Sequence, residues 1–296
     1  MERLNDWLPA GPPIREDQQI GRGSTIADVT ARLRQAEVLK LLEPRRVGKT
    51  SVARAALDRI AAEGGICAEV NLAERRTPEA TAEALAKRLA PGLVNAARGG
   101  MGRVVGRLSR ARPEQALGPE SSFSIRLVGE LVHEAPDITL VLERARRRIP
   151  DVPFAVLLDE AHVLADWPGA ESLGAALRDN AHAMGAVIAS SEARALERLT
   201  ADDGSLRFVG QRFPLSPIAR PDWEHELAQR FARLDVPIEP TALALLLDES
   251  TGHPYCTMLL AREAARVAEE VGRTTEAAVR AALLTVAQDE AWQRLR

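Results

Sequence analysis

The sequence predicts an α/β protein: a parallel β-sheet with helices on both faces, followed by a small all-helical domain. Three observations predict it. Short, almost wholly apolar runs, "VLKLLE", "ICAEVNL", "FAVLLDE" and "GAVIASS", alternate with segments of helical periodicity. The runs are apolar throughout rather than at every second residue, as in strands covered on both faces. From about Pro217 the strands cease, and segments rich in Ala, Leu, Glu and Arg follow one another.

Taken in order, residues 1–19 are polar, contain Gly11-Pro12-Pro13 and read as an extended or loosely packed N-terminal arm. From Ser24 to about Glu37, Ile26, Val29, Leu33 and Ala36 recur at helical spacing, with Ser24 or Thr25 as cap. "VLKLLE" is a buried strand, and a helix runs from Lys49 to about Ala62, stopped by Gly64-Gly65. "ICAEVNL" (66–72) is the second strand. The segment "TPEATAEALAKRLAPG" is a helix with Thr77 as cap, Pro78 at its first position and a Pro-Gly stop. The strands 154–160 and 185–191 follow, then a shorter one within "QRFPLSPI". Helices are expected at 221–234, 240–250, 255–271 and 274–290. The division is an arm at 1–19, an α/β domain at 20–216 and a helical lid domain at 217–296. Within the α/β domain, 97–126 is an Arg/Gly-rich insertion.

Bulk properties narrow the function. With 296 residues and 46% hydrophobic content, the chain can bury a real core. A net charge of -3 excludes a uniformly basic surface but permits a local basic patch. Aromatics at 3% disfavour base-stacking platforms for single strands. Cys67 and Cys256 belong to no metal-spaced cluster and read as buried reduced thiols. No apolar run approaches the ~18 residues of a membrane span. The N-terminus has early acids and no apolar signal core, so the expected location is cytoplasmic.

The chemistry centres on "LLEPRRVGKTS", residues 41–51. A loop between a strand and a helix that ends Gly48-Lys49-Thr50 can point backbone N–H groups at phosphate oxygens, with the helix dipole adding positive potential. The candidate phosphate-binding residues are Pro44, Arg45, Arg46, Val47, Gly48, Lys49, Thr50 and Ser51. Lys49 would reach the β- and γ-phosphates of ATP, and the Thr50 hydroxyl would ligate Mg²⁺. Lys40, Lys49 and Lys87 are the only lysines in an arginine-rich chain, so a lysine at this position is informative. Glu43 stands where the loop pattern has its first glycine. Pro44 biases it to extended geometry open to any L-residue, and its carboxylate is expected to point outward, against Arg45 or Arg46.

"FAVLLDEAH" closes an apolar strand with two acids. Asp159 would hold Mg²⁺ through water, and Glu160 would orient or deprotonate an attacking water. "AVIASS" ends in Ser190 and Ser191, either able to contact a γ-phosphate or the water; Ser191 is the catalytic candidate. Arg98, Arg103, Arg107, Arg110 and Arg112 lie in a stretch without an acid before Glu114. That stretch is a surface insertion or an arm touching a phosphate backbone or an acidic partner.

"IGR" (20–22), "PRRVGKTSVARAAL", "VLLDEAH", "AVIASS", "FPLSPI" and "TGHPY" occur in the order and spacing of the archaeal-type AAA+ ATPases, close to the STAND P-loop NTPases. The resemblance spans about residues 18–270. It implies an AAA+ strand order and a nucleotide-controlled switch or motor subunit acting on a protein partner, with homo-oligomers a further option. It also implies that Ile20, Gly21 and Arg22 line the adenine side, and that Gly252, His253 and Pro254 mark a lid contact with nucleotide. The chain departs from the pattern at Gly23, where an acid is usual, and at Ala189, where glycine is frequent. Arg178, Arg194 and Arg207 are arginine-finger candidates by position. Two other readings stand beside the ATPase: a catalytically weak nucleotide-binding scaffold, and a nucleic-acid binder using the 98–112 arginines.

Overall fold

A computed structural model describes residues 2–11, 13–74, 77–105, 138–148, 152–167, 170–179, 183–201, 204, 206–207 and 209–295. Packing groups them into two compact units. One comprises 26–44 and 53–214; the other comprises 1–25, 45–52 and 215–296. The C-terminal helices thus share a unit with the N-terminal residues and with most of the glycine-lysine loop.

The larger unit is built on a parallel sheet of five strands: β1 (Val38–Leu41), β2 (Ile66–Asn71), β3 (Phe154–Asp159), β4 (Gly185–Ala189) and β5 (Gln211–Arg212). Their order is β2-β3-β4-β1-β5, with β4 between β1 and β3. All four pairings are parallel, so the C-terminal ends of β1, β4 and β3 share one edge. Side chains alternate between the two faces. On one face Val38, Ile66, Ala68, Val70, Val156, Leu158, Ala186 and Ile188 join a core with Leu85 and Leu89 of α4 (Pro78–Val105) and Leu142 of α5 (Ile138–Arg148). On the other face Leu39, Leu41, Ala155, Leu157, Val187 and Ala189 are buried. There α3 (Lys49–Ala62) covers β2: the Cys67 thiol donates to the Leu57 carbonyl at 3.3 Å. Burial pushes the Cys67 thiol up to about 12, so it stays protonated and unreactive near neutral pH.

Some elements depart from the sequence expectation. The first helix of this region, α2, spans Gly23–Arg34, so Ser24 and Thr25 lie inside its first turn and cap nothing. Ala36, placed in that helix by spacing, has φ 59° and follows its end. Pro91-Gly92 does not stop α4, which continues to Val105. The helix crosses β2 there so closely that a β-carbon on Gly92 would lie 3.0 Å from Ile66 Cγ2. Leu85, Leu89 and Leu93, all buried, offset the backbone hydrogen bond that Pro91, lacking an N–H, cannot make. Of the arginine-rich insertion, Arg98 and Arg103 fall on the backbone of α4. Their side chains, and all of Arg107, Arg110 and Arg112, lie outside the described residues.

The second unit is helical: α1 (Glu2–Trp7), α8 (Arg220–Arg233), α9 (Pro240–Ser250), α10 (Pro254–Ala268), α11 (Glu276–Val286) and α12 (Glu290–Leu295). Between them, α6 (Ala170–Asp179) and α7 (Ala193–Thr200) belong to the sheet unit. The expected helices at 255–271 and 274–290 are shorter, because the chain turns at Gly272 (φ 74°) and again at 287–289. The N-terminal arm is not loosely packed. Leu4 and Leu8 are buried in the helical core beside Trp223, Leu227 and Phe231. The buried Arg230 guanidinium donates to the carbonyls of Trp7 (3.0 Å) and Gln18 (2.9 Å), which ties the segment down. No helix among the described residues is long and apolar enough to cross a membrane.

Candidate functional site

The loop after β1 has an unusual backbone. Arg46 (φ 65°) and Gly48 (φ 98°) both lie in the left-handed region. Alternating handedness turns successive N–H groups toward one side and makes a concave anion cradle. Gly48 is needed for conformation rather than room, since a β-carbon there would meet nothing within 4 Å. Arg46 has no such freedom, and its backbone geometry costs about 1–3 kcal/mol. Its guanidinium lies 4.0 Å from the centre of the Tyr255 ring, a cation–π contact that helps hold the loop.

The α3 helix opens with Val52 N–H donating to the Gly48 carbonyl at 2.9 Å. The amides at its start therefore have no carbonyl one turn back within the helix, and the helix dipole is positive there. Lys49 is buried and Thr50 half-buried at this end. Ser51 serves another purpose: its hydroxyl accepts from Ile14 N–H at 3.1 Å, and its carbonyl accepts from the Gln19 side chain at 2.9 Å.

The "IGR" residues are anchors in this unit. Ile20 is buried in the helical core. Gly21, at φ 61°, sits where a β-carbon would come within 2.8 Å of Ile218 Cγ2 and 2.9 Å of Asp222 Oδ2. Arg22 is buried, and its guanidinium donates to the carbonyls of Ser216 (2.6 Å) and Val47 (3.2 Å). It thus links the loop backbone to the segment leading into the C-terminal helices. Ile20 and Arg22 side chains are committed to packing and clamping, so an adenine-side role would fall to their backbone.

Thr251 (φ 54°) and Gly252 (φ 69°) make the turn before α10, which Pro254 opens with His253 as N-cap. Both His253 ring nitrogens are buried without a well-formed hydrogen bond. Burial lowers the His253 pKa and the nearby Arg46 lowers it further, while backbone at Arg45 opposes the shift. The ring is therefore neutral at pH 7.

The acids sit in the sheet unit. All six residues of β3 are buried, ending at Asp159, and Glu160 then takes a left-handed conformation (φ 53°, ψ 43°) that turns the chain sharply. The Glu160 N–H donates to Asp159 Oδ1 at 2.9 Å, orienting that carboxylate. The Ser191 hydroxyl donates to Glu160 Oε2 at 2.9 Å. The neighbouring Ser190 is fully buried, and its oxygen accepts from Glu192 N–H at 3.0 Å. The two serines are thus separated: Ser190 shapes the turn and Ser191 meets the acid.

Sequence reasoning assigned no role to His162, Glu192, Arg54 or Glu69. His162 lies beside Glu160, and its advance signal was its place at the end of the "VLLDEAH" run, two residues after that acid. Arg54, five residues after Lys49, forms a two-point ion pair with Glu69 at 2.5 Å. The hydrogen bond to Glu69 raises the Arg54 pKa, and the charge of Asp159 adds to it. Among the finger candidates, Arg178 donates to the Arg207 carbonyl at 2.9 Å within its own unit, and Arg194 is exposed. Among the described residues no cluster of three or more His, Cys, Asp or Glu could hold a metal alone. A hydroxyl and a carboxylate supplemented by phosphate oxygens and water suit Mg²⁺, which seldom takes an all-protein cage.

No protein-family model matches this chain, and no curated protein matches it. Solved structures do. The chain is similar to the Walker-type ATPase PABY2304 of Pyrococcus abyssi, with 18% identity, TM-score 0.59 and coverage of 97% of this chain and 79% of that one. It is similar to the ORC2 protein of Aeropyrum pernix in its ADPNP-ADP complexes, with 20% identity, TM-score 0.55 and coverage of 98% and 72%. It is also similar to the Aeropyrum pernix ORC1 protein in complex with DNA, with 18% identity, TM-score 0.54 and coverage of 97% and 69%. The chain shares its fold with these proteins: a parallel α/β sheet with added helices.

Proposed function

We propose that this chain binds ATP with Mg²⁺ and hydrolyses it, in the manner of the archaeal-type AAA+ ATPases that its motifs resemble. One observation carries the reading. The sheet order sets β4 between the strand that feeds Gly48-Lys49-Thr50 and the strand that ends in Asp159-Glu160, with all three ends on one edge.

In this reading the loop amides from Arg45 to Thr50 and the Lys49 ammonium bind the phosphates. Lys49 neutralises charge that grows on the γ-phosphoryl oxygens as the bond to the leaving diphosphate breaks. Thr50 and, through water, Asp159 would hold Mg²⁺, which would supply positive charge to the phosphates. Glu160 orients a water and accepts its proton, and Ser191 fixes the carboxylate that does so. Pro44 and Val47 shape the loop, and Ser51 secures the helix start through the N-terminal segment. His253 and Pro254 would sense nucleotide from the start of α10.

The same reading makes the chain a nucleotide-controlled switch for a protein partner. The loop residues 45–52 pack in one unit with the C-terminal helices, through Arg22 and the Arg46–Tyr255 contact. A ligand that fits one loop arrangement better than another would shift the helices that share those contacts. A nucleic-acid partner is a second reading, favoured by the DNA bound to the ORC1 protein and by Arg98, Arg103, Arg107, Arg110 and Arg112. It predicts DNA binding that weakens steeply with salt.

The test is ATP binding and turnover by purified protein, with Mg²⁺ and with a chelator. The expected result is Mg²⁺-dependent turnover that Lys49→Ala removes together with tight binding. ATP affinity unchanged by Lys49→Ala would contradict the loop assignment.

A further inference from the structure

We propose that His162 is a positioning residue for Glu160: with Ser191 it anchors one carboxylate oxygen and leaves the other to face water. This rests on the hydrolytic reading above. His162 lies in the 3₁₀ turn Ala161–Asp166 that follows β3, with a side chain only 16% exposed. Its Nδ1 is 3.3 Å from Glu160 Oε2 and 3.5 Å from Ser190 Oγ, and its Nε2 is 3.6 Å from Glu192 Oε1. Glu160 Oε2 therefore receives the Ser191 hydroxyl and faces the imidazole on the same atom. Among the described residues, Oε1 has no hydrogen-bond partner.

The arrangement solves a local problem. Glu160 follows the buried strand in a left-handed turn, and a flexible carboxylate on such a turn would sample many rotamers. Two groups held by different elements, the turn after β3 and the end of β4, restrict it. The buried Ser190 completes the frame: it fixes the Glu192 backbone and touches the His162 ring. A general base acts efficiently only when held within hydrogen-bond reach of the proton it takes. Nδ1 is the working nitrogen in this scheme, and Nε2, turned to the exposed Glu192, is secondary.

Two substitutions separate the nitrogens. The side-chain amide of asparagine can replace Nδ1, and that of glutamine can replace Nε2. Turnover and equilibrium binding of ATP are measured for wild type, Glu160→Gln, His162→Ala, His162→Asn and His162→Gln. The expected result is a fall in kcat of roughly tenfold or more in His162→Ala, the order that small misplacements of a catalytic group cause. ATP affinity should change by less than about threefold, a difference near 0.6 kcal/mol. His162→Asn should recover most of the turnover and His162→Gln should not.

Unchanged turnover in His162→Ala, while Glu160→Gln is inactive, would overturn the proposal and leave the ATPase reading intact. Recovery by glutamine instead of asparagine would also overturn it, and that comparison holds even where the alanine variant fails to fold. Wild-type protein that binds ATP without turning it over would overturn the hydrolytic reading, and the His162 role with it.

Discussion

Position 43 carries a carboxylate where phosphate-binding loops of this pattern begin with glycine. Glu43 is half-buried and precedes Pro44, whose ring favours extended geometry in the residue before it. The left-handed positions of the loop are Arg46 and Gly48, so glycine is not demanded at 43. Glu43→Gly should accordingly change ATP affinity by less than tenfold, or about 1.4 kcal/mol. A larger gain, measured by titration with labelled nucleotide, would mean that the carboxylate opposes the phosphates. His253 makes a prediction in pH. Its folded pKa is depressed below the ordinary 6.5 by burial, so its contribution to stability is present above that value. As pH falls below 6.5, the unfolded chain takes up a proton that the folded ring resists, and stability declines. His253→Gln should flatten the urea midpoint between pH 7 and 5 relative to wild type, and parallel curves would contradict this. The residues read directly from sequence, Lys49, Thr50, Asp159 and Glu160, are those whose chemistry admits few substitutes. Ser191 was singled out from its place after β4, but its bond to Glu160 and the placing of His162 beside that acid were not legible, because they depend on which way two adjacent strand ends turn.

At the level of elements, the loop is a structure held from outside. Arg22 donates to Val47 and Ser216 carbonyls while buried, so one side chain joins loop backbone to the approach to α8. Arg22→Ala would remove both hydrogen bonds that this buried guanidinium makes and should lower unfolding stability by about 1–3 kcal/mol. ATP affinity should fall as well, because the loop loses its brace. Retained stability and affinity in denaturation and binding measurements would remove Arg22 from this role. The strands and most helices were legible because apolar runs and helical spacing report burial directly. The N-terminal segment was not: the residue that secures it, Arg230, lies more than 200 positions away. The continuation of α4 through Pro91-Gly92 was hidden for a similar reason, since the close approach to Ile66 is a tertiary fact.

For the whole molecule, the sheet order is the fact from which function is argued. Apolar runs announced a parallel sheet, but only the pairing shows β4 lying between β1 and β3. Packing also assigns the loop residues 45–52 to the unit of the C-terminal helices, a division that composition alone did not reveal. In the proposed reading, phosphate bound at the loop is felt in the helical unit that shares the loop's contacts, and hydrolysis resets it. The central claim is that Glu160 performs the proton chemistry on ATP held elsewhere by the loop. The most direct measurement is turnover of radiolabelled ATP beside equilibrium ATP binding, for wild type and Glu160→Gln. The account predicts measurable turnover in the wild type, its loss in Glu160→Gln, and ATP affinity that survives the substitution. Equal turnover in the two proteins, or none in a wild type that binds ATP, would contradict it.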